Sequence, residues 1–587
     1  MFDERSTVQA FVTDVLSGLS DLPPDRIGWM PVGGPALDRA DTEVLVESEL
    51  REALIRLNPD IAAEPDHADE VIYRLTGLIH SARSAGLVRA NEDFRSWLLA
   101  GQSMPFGPDH EHVTVHLIDF DDPKHNTYTV ATEVPFRRGN TTVRFDHVLW
   151  VNGLPLVVGE SKSATRRGIS WADGALQIDG YQQDVPEFFV PNALCFATDG
   201  RDLRYGAVRT PLQKWGPWRA GWDRADAQGL VAGDDVASRG DQAPSEPAGS
   251  APGEHEPSDA TPARNGPAAV RRAAQGLLAP VTLLDILRSF TVFGTDSKNH
   301  RRTKTVCRYQ QYEAGRRMVD RVASPDQPRK GLVWHFQGSG KSLLMVFTAQ
   351  ALRVDPRLPA PTILVVVDRQ DLETQITTAF NDADVPNVVT ASSGQELRDM
   401  LANDQRKIII TLVHKFREEI SDVLSERRDI VCLVDEAHRT QDGGFGLRMR
   451  SVLPNAVFFG LTGTPINRSD VNTFSTFGAD IDEGRYLSKY SQADSIRDKA
   501  TLPLHFEPRD SRFQIDRALL DAEFDKLVED LSDTEREALS RRAARMGALI
   551  KAPDRISRVC DDIAEHFRTK VEPEGFKAQV VVFDQEA

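Results

Sequence analysis

The stretch that most constrains this chain is Gly331–Ser342, GLVWHFQGSGKS. A short apolar run, Leu332-Val333-Trp334, leads into Gly338-Ser339-Gly340-Lys341-Ser342, and the helical pattern LLMVFTAQALR follows at once. Strand, glycine loop and helix in that order form a phosphate cradle. The glycines let successive backbone N–H groups turn inward around an anion, and the helix N-terminus adds its partial positive charge. Lys341 is placed to reach phosphate oxygens, and Ser342 to offer its hydroxyl to Mg²⁺. His335 stands where such loops usually carry their first glycine.

The segments around this loop agree with it. From about residue 276 to about 480, apolar runs (LVWHF, TILVVVD, VVTAS, KIIITLV, IVCLVDE, AVFFGLT) alternate with helical patterns. Near-continuous Val/Ile/Leu runs between helices predict a parallel sheet covered on both faces, an α/β fold. The run ending at Val434 delivers Asp435-Glu436-Ala437-His438 at its C-terminal end. Asp435 there can hold Mg²⁺, and Glu436 can polarise an attacking water. Thr462-Gly463-Thr464 closes another apolar strand and is placed to sense a γ-phosphate. In YQQYEAG, Gln311 offers an amide to an adenine edge.

Taken together, these segments resemble the first RecA-like domain of superfamily-two helicases and translocases. The glycine loop matches motif I, DEAH motif II, TGTP motif III and Gln311 the Q motif. VVVDRQDLETQ resembles motif Ia, and TLVHKF the next DNA-backbone segment. The resemblance adds His438 to the ATP-binding residues and implies ATP and Mg²⁺ as cofactors. It also implies coupling of hydrolysis to motion along double-stranded DNA.

A second constellation lies upstream, in residues 1–220. Strand-like segments NTYTVATEVPF, TTVRFDHVLWV and LPLVVGESK follow one another, the last two separated by Asn152-Gly153, a strong hairpin signal. They carry Asp146, Glu160 and Lys162. Glu160 and Lys162 are two apart on a strand and so share a face. Two carboxylates and a lysine are what Mg²⁺-dependent phosphodiester cleavage needs, with Asp146 and Glu160 as metal ligands. Asp146 reaches that face only with the right hairpin parity. A three-residue loop, Val151-Asn152-Gly153, or an equivalent bulge nearby, is therefore expected. Gln177 and Tyr181 lie four apart on the next helix, able to brace a strand-borne site or touch DNA. The pattern D…E-x-K…Q-x-x-x-Y resembles the PD-(D/E)xK-type nuclease domain of type I restriction endonuclease R subunits. In that family it precedes a motor loop written W-H-x-x-G-S-G-K-[ST], as Trp334–Ser342 is here.

Residues 221–275 are rich in Pro, Gly, Ala, Ser and acid and read as a disordered linker, with too few apolar side chains to offset ordering entropy. Residues 481–575 read as a mainly helical connection. Residues 576–587 read as the first strand of a second RecA-like domain that is otherwise absent, so weak turnover is expected of this chain alone. The net charge of −18 argues against a chain that coats DNA but leaves room for local basic grooves. Four scattered cysteines and no long apolar run fit a cytoplasmic protein with no membrane span. The resemblance implies methyltransferase and specificity subunits as partners, with cleavage away from the recognised site. A stand-alone helicase–nuclease, or a catalytically silent form that only docks onto the methyltransferase, remain the alternatives.

Overall fold

In the computed structural model the residues described are 5–18, 27–163, 166, 168–220, 266–296, 300–416, 423–437, 445–466, 472–503 and 553–582. Residues 1–502 form one compact unit and 503–587 a second.

The first sheet of the larger unit has seven strands in sequence order: β1 (Met30–Gly33), β2 (Tyr128–Arg138), β3 (Thr141–Val151), β4 (Leu154–Ser161), β5 (Leu194–Thr198), β6 (Leu203–Gly206) and β7 (Gly216–Pro217). β2, β3 and β4 are antiparallel, whereas β4 and β5 run parallel, joined by a crossover containing helix α1 (Trp171–Asp184). Ser170 caps α1 in a capping box with Asp173, which fixes where the helix starts.

The β3–β4 hairpin corrects one expectation and meets its alternative. Val151 faces Leu154 across a two-residue turn, with φ of +51° at Asn152 and +75° at Gly153, so the three-residue loop does not form. Instead the register slips between Leu149 and Trp150: Trp150 faces Pro155 while Leu149 faces Val157, leaving Leu156 as the extra residue. Beyond this bulge His147 faces Gly159. Asp146 and Glu160 are the next residues outward and share a face. The Asn152 side chain explains the tight turn. It is buried, takes a hydrogen bond from the Thr127 N–H (2.8 Å), and donates to the Leu117 carbonyl (2.9 Å) and Asn126 Oδ1 (2.8 Å).

The second sheet is wholly parallel. Its strands are β8 (Lys330–His335), β9 (Thr362–Val367), β10 (Val388–Thr390), β11 (Ile408–Leu412), β12 (Ile430–Asp435), β13 (Val457–Thr462) and β14 (Ser488–Tyr490), in spatial order β10-β11-β9-β12-β13-β8-β14. Helix α2 (Tyr309–Ala323) precedes β8, and α3 (Lys341–Val354) follows it. The expected boundary at 480 falls short, since β14 pairs in parallel with β8 as an edge strand.

One buried apolar cluster runs from Phe94 and Trp150 through Trp218 and Phe290 to Phe347, joining the first sheet to one face of the second. A separate cluster, including Leu364, Cys432 and Phe458, covers the other face. An antiparallel pair, Thr291–Thr295 with Arg302–Val306, sits at the join. From it Arg302 pairs with both Glu92 and Asp384. The linker expectation is corrected at its end: Pro267–Leu277 is a helix, with Val270, Ala273, Ala274 and Leu277 buried. Small alanines that looked like linker composition form the face of a helix packed at close range. Residues 221–265 lie outside those described.

In the second unit, Pro553–His566 is helical. Residues 576–582, expected to begin a strand, form none, and Val580, Val581 and Val582 are exposed. The strand's last residue, Phe583, lies outside the described residues.

Candidate nuclease and nucleotide sites

Asp146 on β3, Glu160 at the end of β4, and Lys162 just beyond it converge under α1. Lys162 Nζ donates to Glu160 Oε1 (2.8 Å) and to Gln177 Oε1 (2.6 Å). The other end of the Gln177 amide donates to the Tyr181 hydroxyl, which in turn donates to the Arg144 carbonyl (3.2 Å). The helix pair thus braces the strand-borne lysine in a continuous chain of hydrogen bonds. The Ser161 N–H donates to Asp146 Oδ2 (2.9 Å), anchoring that carboxylate across the hairpin.

Gly174 explains how α1 comes so close. A Cβ there would sit 3.3 Å from the Ala197 Cβ and 3.4 Å from the Glu160 side chain, so glycine lets the helix lie against the strand. Glu160 is consequently 1% exposed. Its carboxyl is pushed up to about 8, first by burial and then by the Asp146 carboxylate, with Lys162 opposing. Glu160 Oε2 is buried without a hydrogen-bond partner. Two adjacent carboxylates with an uncompensated oxygen fit a divalent cation.

At the second sheet, β8 ends in His335, which is buried and shares a hydrogen bond with Ser488 Oγ (2.9 Å) on β14. Burial holds its imidazole neutral, down to about 3. The histidine therefore ties the loop's strand to the sheet edge and leaves the cradle to Gly338–Ser342. Gly340, with φ +88°, caps α3, and its carbonyl accepts from Gln311 Nε2 (3.0 Å). Gln311 Oε1 accepts from the Arg308 N–H (2.8 Å). Both ends of that amide hydrogen-bond to backbone, so Gln311 braces the glycine loop. Gly338 and Ser339 line a cavity whose other walls include Trp171, Arg204, Trp215 and Arg308.

Asp435 ends β12. Its carboxyl is pushed up to about 6 by burial and by Glu436, with Lys341 opposing. That places the loop lysine within electrostatic reach of Asp435. Asp435 Oδ1 is buried without a hydrogen-bond partner, again a fit for a cation, and Ser342 stands in the first turn of α3. Glu436 has a left-handed backbone, φ +46°, strain of the kind found where a carboxylate must leave a strand end sharply. The Ala437 N–H donates to the Leu461 carbonyl (3.1 Å), tying this turn to β13. His438 lies outside the described residues.

Thr462 ends β13 and its hydroxyl accepts from the Thr464 N–H (3.1 Å). The Trp334 indole N–H donates to the Gly463 carbonyl (3.3 Å). The tryptophan before His335 thus fastens the Thr462–Thr464 loop to the strand that carries the glycine loop, a contact sequence reasoning missed. Lys415, in the segment expected to face DNA, is instead buried. It donates to the Ala391 carbonyl and lies 3.4 Å from Glu373, while His414 is exposed. Among the described residues no group of three or more His, Cys, Asp or Glu could hold a metal, and no helix is long and apolar enough to cross a membrane.

Residues 1–214 match the family model of the type I restriction enzyme R protein N terminus, and residues 310–537 that of the SWI2/SNF2 ATPases. The HindI endonuclease subunit of a type I restriction enzyme from Haemophilus influenzae is 30% identical, over 95% of this chain and 51% of its own length. The chain is a homologue of type I restriction endonuclease subunits. A Methanocaldococcus jannaschii protein that carries the name of such a subunit, MjaIXP, is 26% identical over 84% of this chain and 46% of its own. The SsaAORF53P endonuclease subunit from Staphylococcus saprophyticus is 29% identical over 35% of this chain and 22% of its own. This chain spans about half the length of the first two relatives, 51% and 46%.

Proposed function

We propose that this chain is the nuclease and first motor lobe of a type I restriction enzyme's endonuclease subunit. In that reading, ATP hydrolysis moves double-stranded DNA past a complex with methyltransferase and specificity subunits in the cytoplasm, and cleavage follows away from the recognised site. The observation that carries it is the convergence of Asp146, Glu160 and Lys162 beneath the Gln177–Tyr181 brace.

At the nuclease site Asp146 and Glu160 would hold Mg²⁺, which supplies Lewis-acid polarisation of a phosphodiester and a more acidic water. Lys162, oriented by Gln177, stabilises the charge that develops on the phosphate oxygens. At the nucleotide site Gly338–Gly340 present backbone N–H groups to the phosphates and Lys341 neutralises their charge. Ser342 and Asp435 would hold the second Mg²⁺. Glu436 orients and polarises the water, while Thr462–Thr464 report the state of the γ-phosphate to the sheet edge.

Reconstitution tests this reading against a stand-alone helicase–nuclease. ATP-dependent cleavage of unmodified DNA should require the methyltransferase and specificity subunits together with the endonuclease subunit. Equal cleavage without them would favour the stand-alone enzyme, and docking without any ATP turnover would favour a silent form.

A further inference from the structure

Beside the nuclease constellation stands a cation that the catalytic reading leaves unused. Arg144 is two residues before Asp146 on β3 and so projects from the same face. Its side chain is 65% exposed, while the glutamate that holds it, Glu133, is 10% exposed. Glu133 Oε2 meets Arg144 Nε at 2.8 Å.

The backbone around that glutamate is unusual. Glu133 has φ +57°, a left-handed conformation that disfavours any residue with a side chain. The β2–β3 ladder pairs Thr132 with His147 and Val134 with Phe145, and Glu133 is the position between them. Strain of this kind persists only where the surroundings enforce it, and it gathers at sites that are used. Here it aims a mostly buried carboxylate at an exposed guanidinium.

The Tyr181 hydroxyl donates to the Arg144 carbonyl (3.2 Å), tying the arginine's backbone to the Gln177–Tyr181 brace. Its acidity is suppressed, up to about 12, by burial first and then by Glu160 and Asp146, with Arg144 pulling the other way. One phenol therefore stands within electrostatic reach of both candidate metal ligands and of Arg144.

We propose that Arg144 grips a backbone phosphate of the DNA strand entering the nuclease site, with Glu133 holding it in place. The inference rests on the nuclease reading above. A guanidinium has five N–H donors in a fixed fork, suited to phosphate oxygens, and Glu133 engages it at Nε. Glu133 also keeps the arginine from folding back onto Asp146 and Glu160, where it would compete with a cation. The contact is to backbone alone, which suits a nuclease that cuts at sites it does not read.

The test uses the full chain and a short fluorescent duplex, without ATP and with Ca²⁺ in place of Mg²⁺, titrated across a salt series. Arg144→Ala should make the slope of log affinity against log salt shallower by about 0.9, one phosphate contact. Binding should weaken equally on unrelated sequences. Arg144→Lys should retain the slope, since the charge remains. Melting temperature is read beside the slope, because Arg144→Ala takes this partner from the mostly buried Glu133 carboxylate whereas Arg144→Lys keeps a cation there. A wild-type slope and affinity in Arg144→Ala would overturn the proposal and leave only a surface ion pair. Cleavage by Glu160→Ala in the assembled enzyme tests the nuclease reading separately. If the Glu160 variant still cuts DNA in the assembled enzyme, the nuclease reading fails, and the Arg144 slope is judged independently.

Discussion

Glu160 is the residue on which charge, burial and chemistry meet. Its carboxyl is raised from an ordinary value near 4.5 to about 8, so between those pH values the folded chain keeps a proton that the unfolded chain has lost. Stability therefore falls as pH rises through that window. A divalent cation takes the proton's place, so Mg²⁺ should raise the melting temperature more at about pH 8 than at about pH 6. In Glu160→Gln that pH-dependent increment should disappear; an unchanged increment would mean the cation binds elsewhere. Asn152 makes a different kind of prediction. Alanine there strands the Thr127 N–H and the Leu117 carbonyl in a tight turn and forces φ +51° on a residue that resists it. Unsatisfied buried groups cost about 1–3 kcal/mol each, with partial relaxation. Asn152→Ala should thus lose about 2–4 kcal/mol of unfolding free energy in urea. A loss below about 1 kcal/mol would show that water repairs the turn.

At the scale of elements, the crossover helix α1 is the part that turns strands into a site. Gly174 sets its distance, and valine there would press against Ala197 and Glu160. Overpacking of that kind costs about 1–3 kcal/mol. Gly174→Val should lower cleavage by lifting Gln177 from Lys162 while leaving ATP turnover intact, because the glycine loop belongs to the other sheet. Parallel loss of both activities would contradict this. Much of the arrangement was legible in the sequence. The strand pair and the i, i+4 spacing of Gln177 and Tyr181 follow from periodicity, and the demand that Asp146 share a face with Glu160 follows from the chemistry of a shared metal. The form of the hairpin was not. Asn-Gly specified the turn, but the bulge at Leu156 sits inside a run of apolar residues, any of which could have been the extra one. The internal contacts of Gln311 and of Lys415 in the TLVHKF segment were not legible for a related reason. A polar side chain in a motif looks outward in sequence, and only packing shows that Gln311 braces the glycine loop and that Lys415 is buried against Ala391 and Glu373. The helix Pro267–Leu277 escaped because alanine suits both linkers and tight helix packing.

For the larger unit as a whole, the shared core matters most. The apolar cluster through Trp218, Phe290 and Phe347 gives the two sheets a common interior, and Arg302 bridges Glu92 and Asp384 across the join. The sheets should therefore unfold together. Hydrogen exchange in Leu194–Thr198 and in Ile430–Asp435 should report the same opening free energy, and a gap of several kcal/mol would show two separate cooperative units. Chemically, however, the two sheets are expected to be separable, since their candidate catalytic groups sit in different sheets. The most direct measurement is ATP hydrolysis and DNA cleavage, side by side, by Glu160→Ala and Lys341→Ala subunits assembled with their methyltransferase and specificity partners. Glu160→Ala should abolish cleavage with DNA-stimulated ATP turnover retained, and Lys341→Ala should abolish both. Undiminished cutting by the Glu160 variant would contradict the account at its centre.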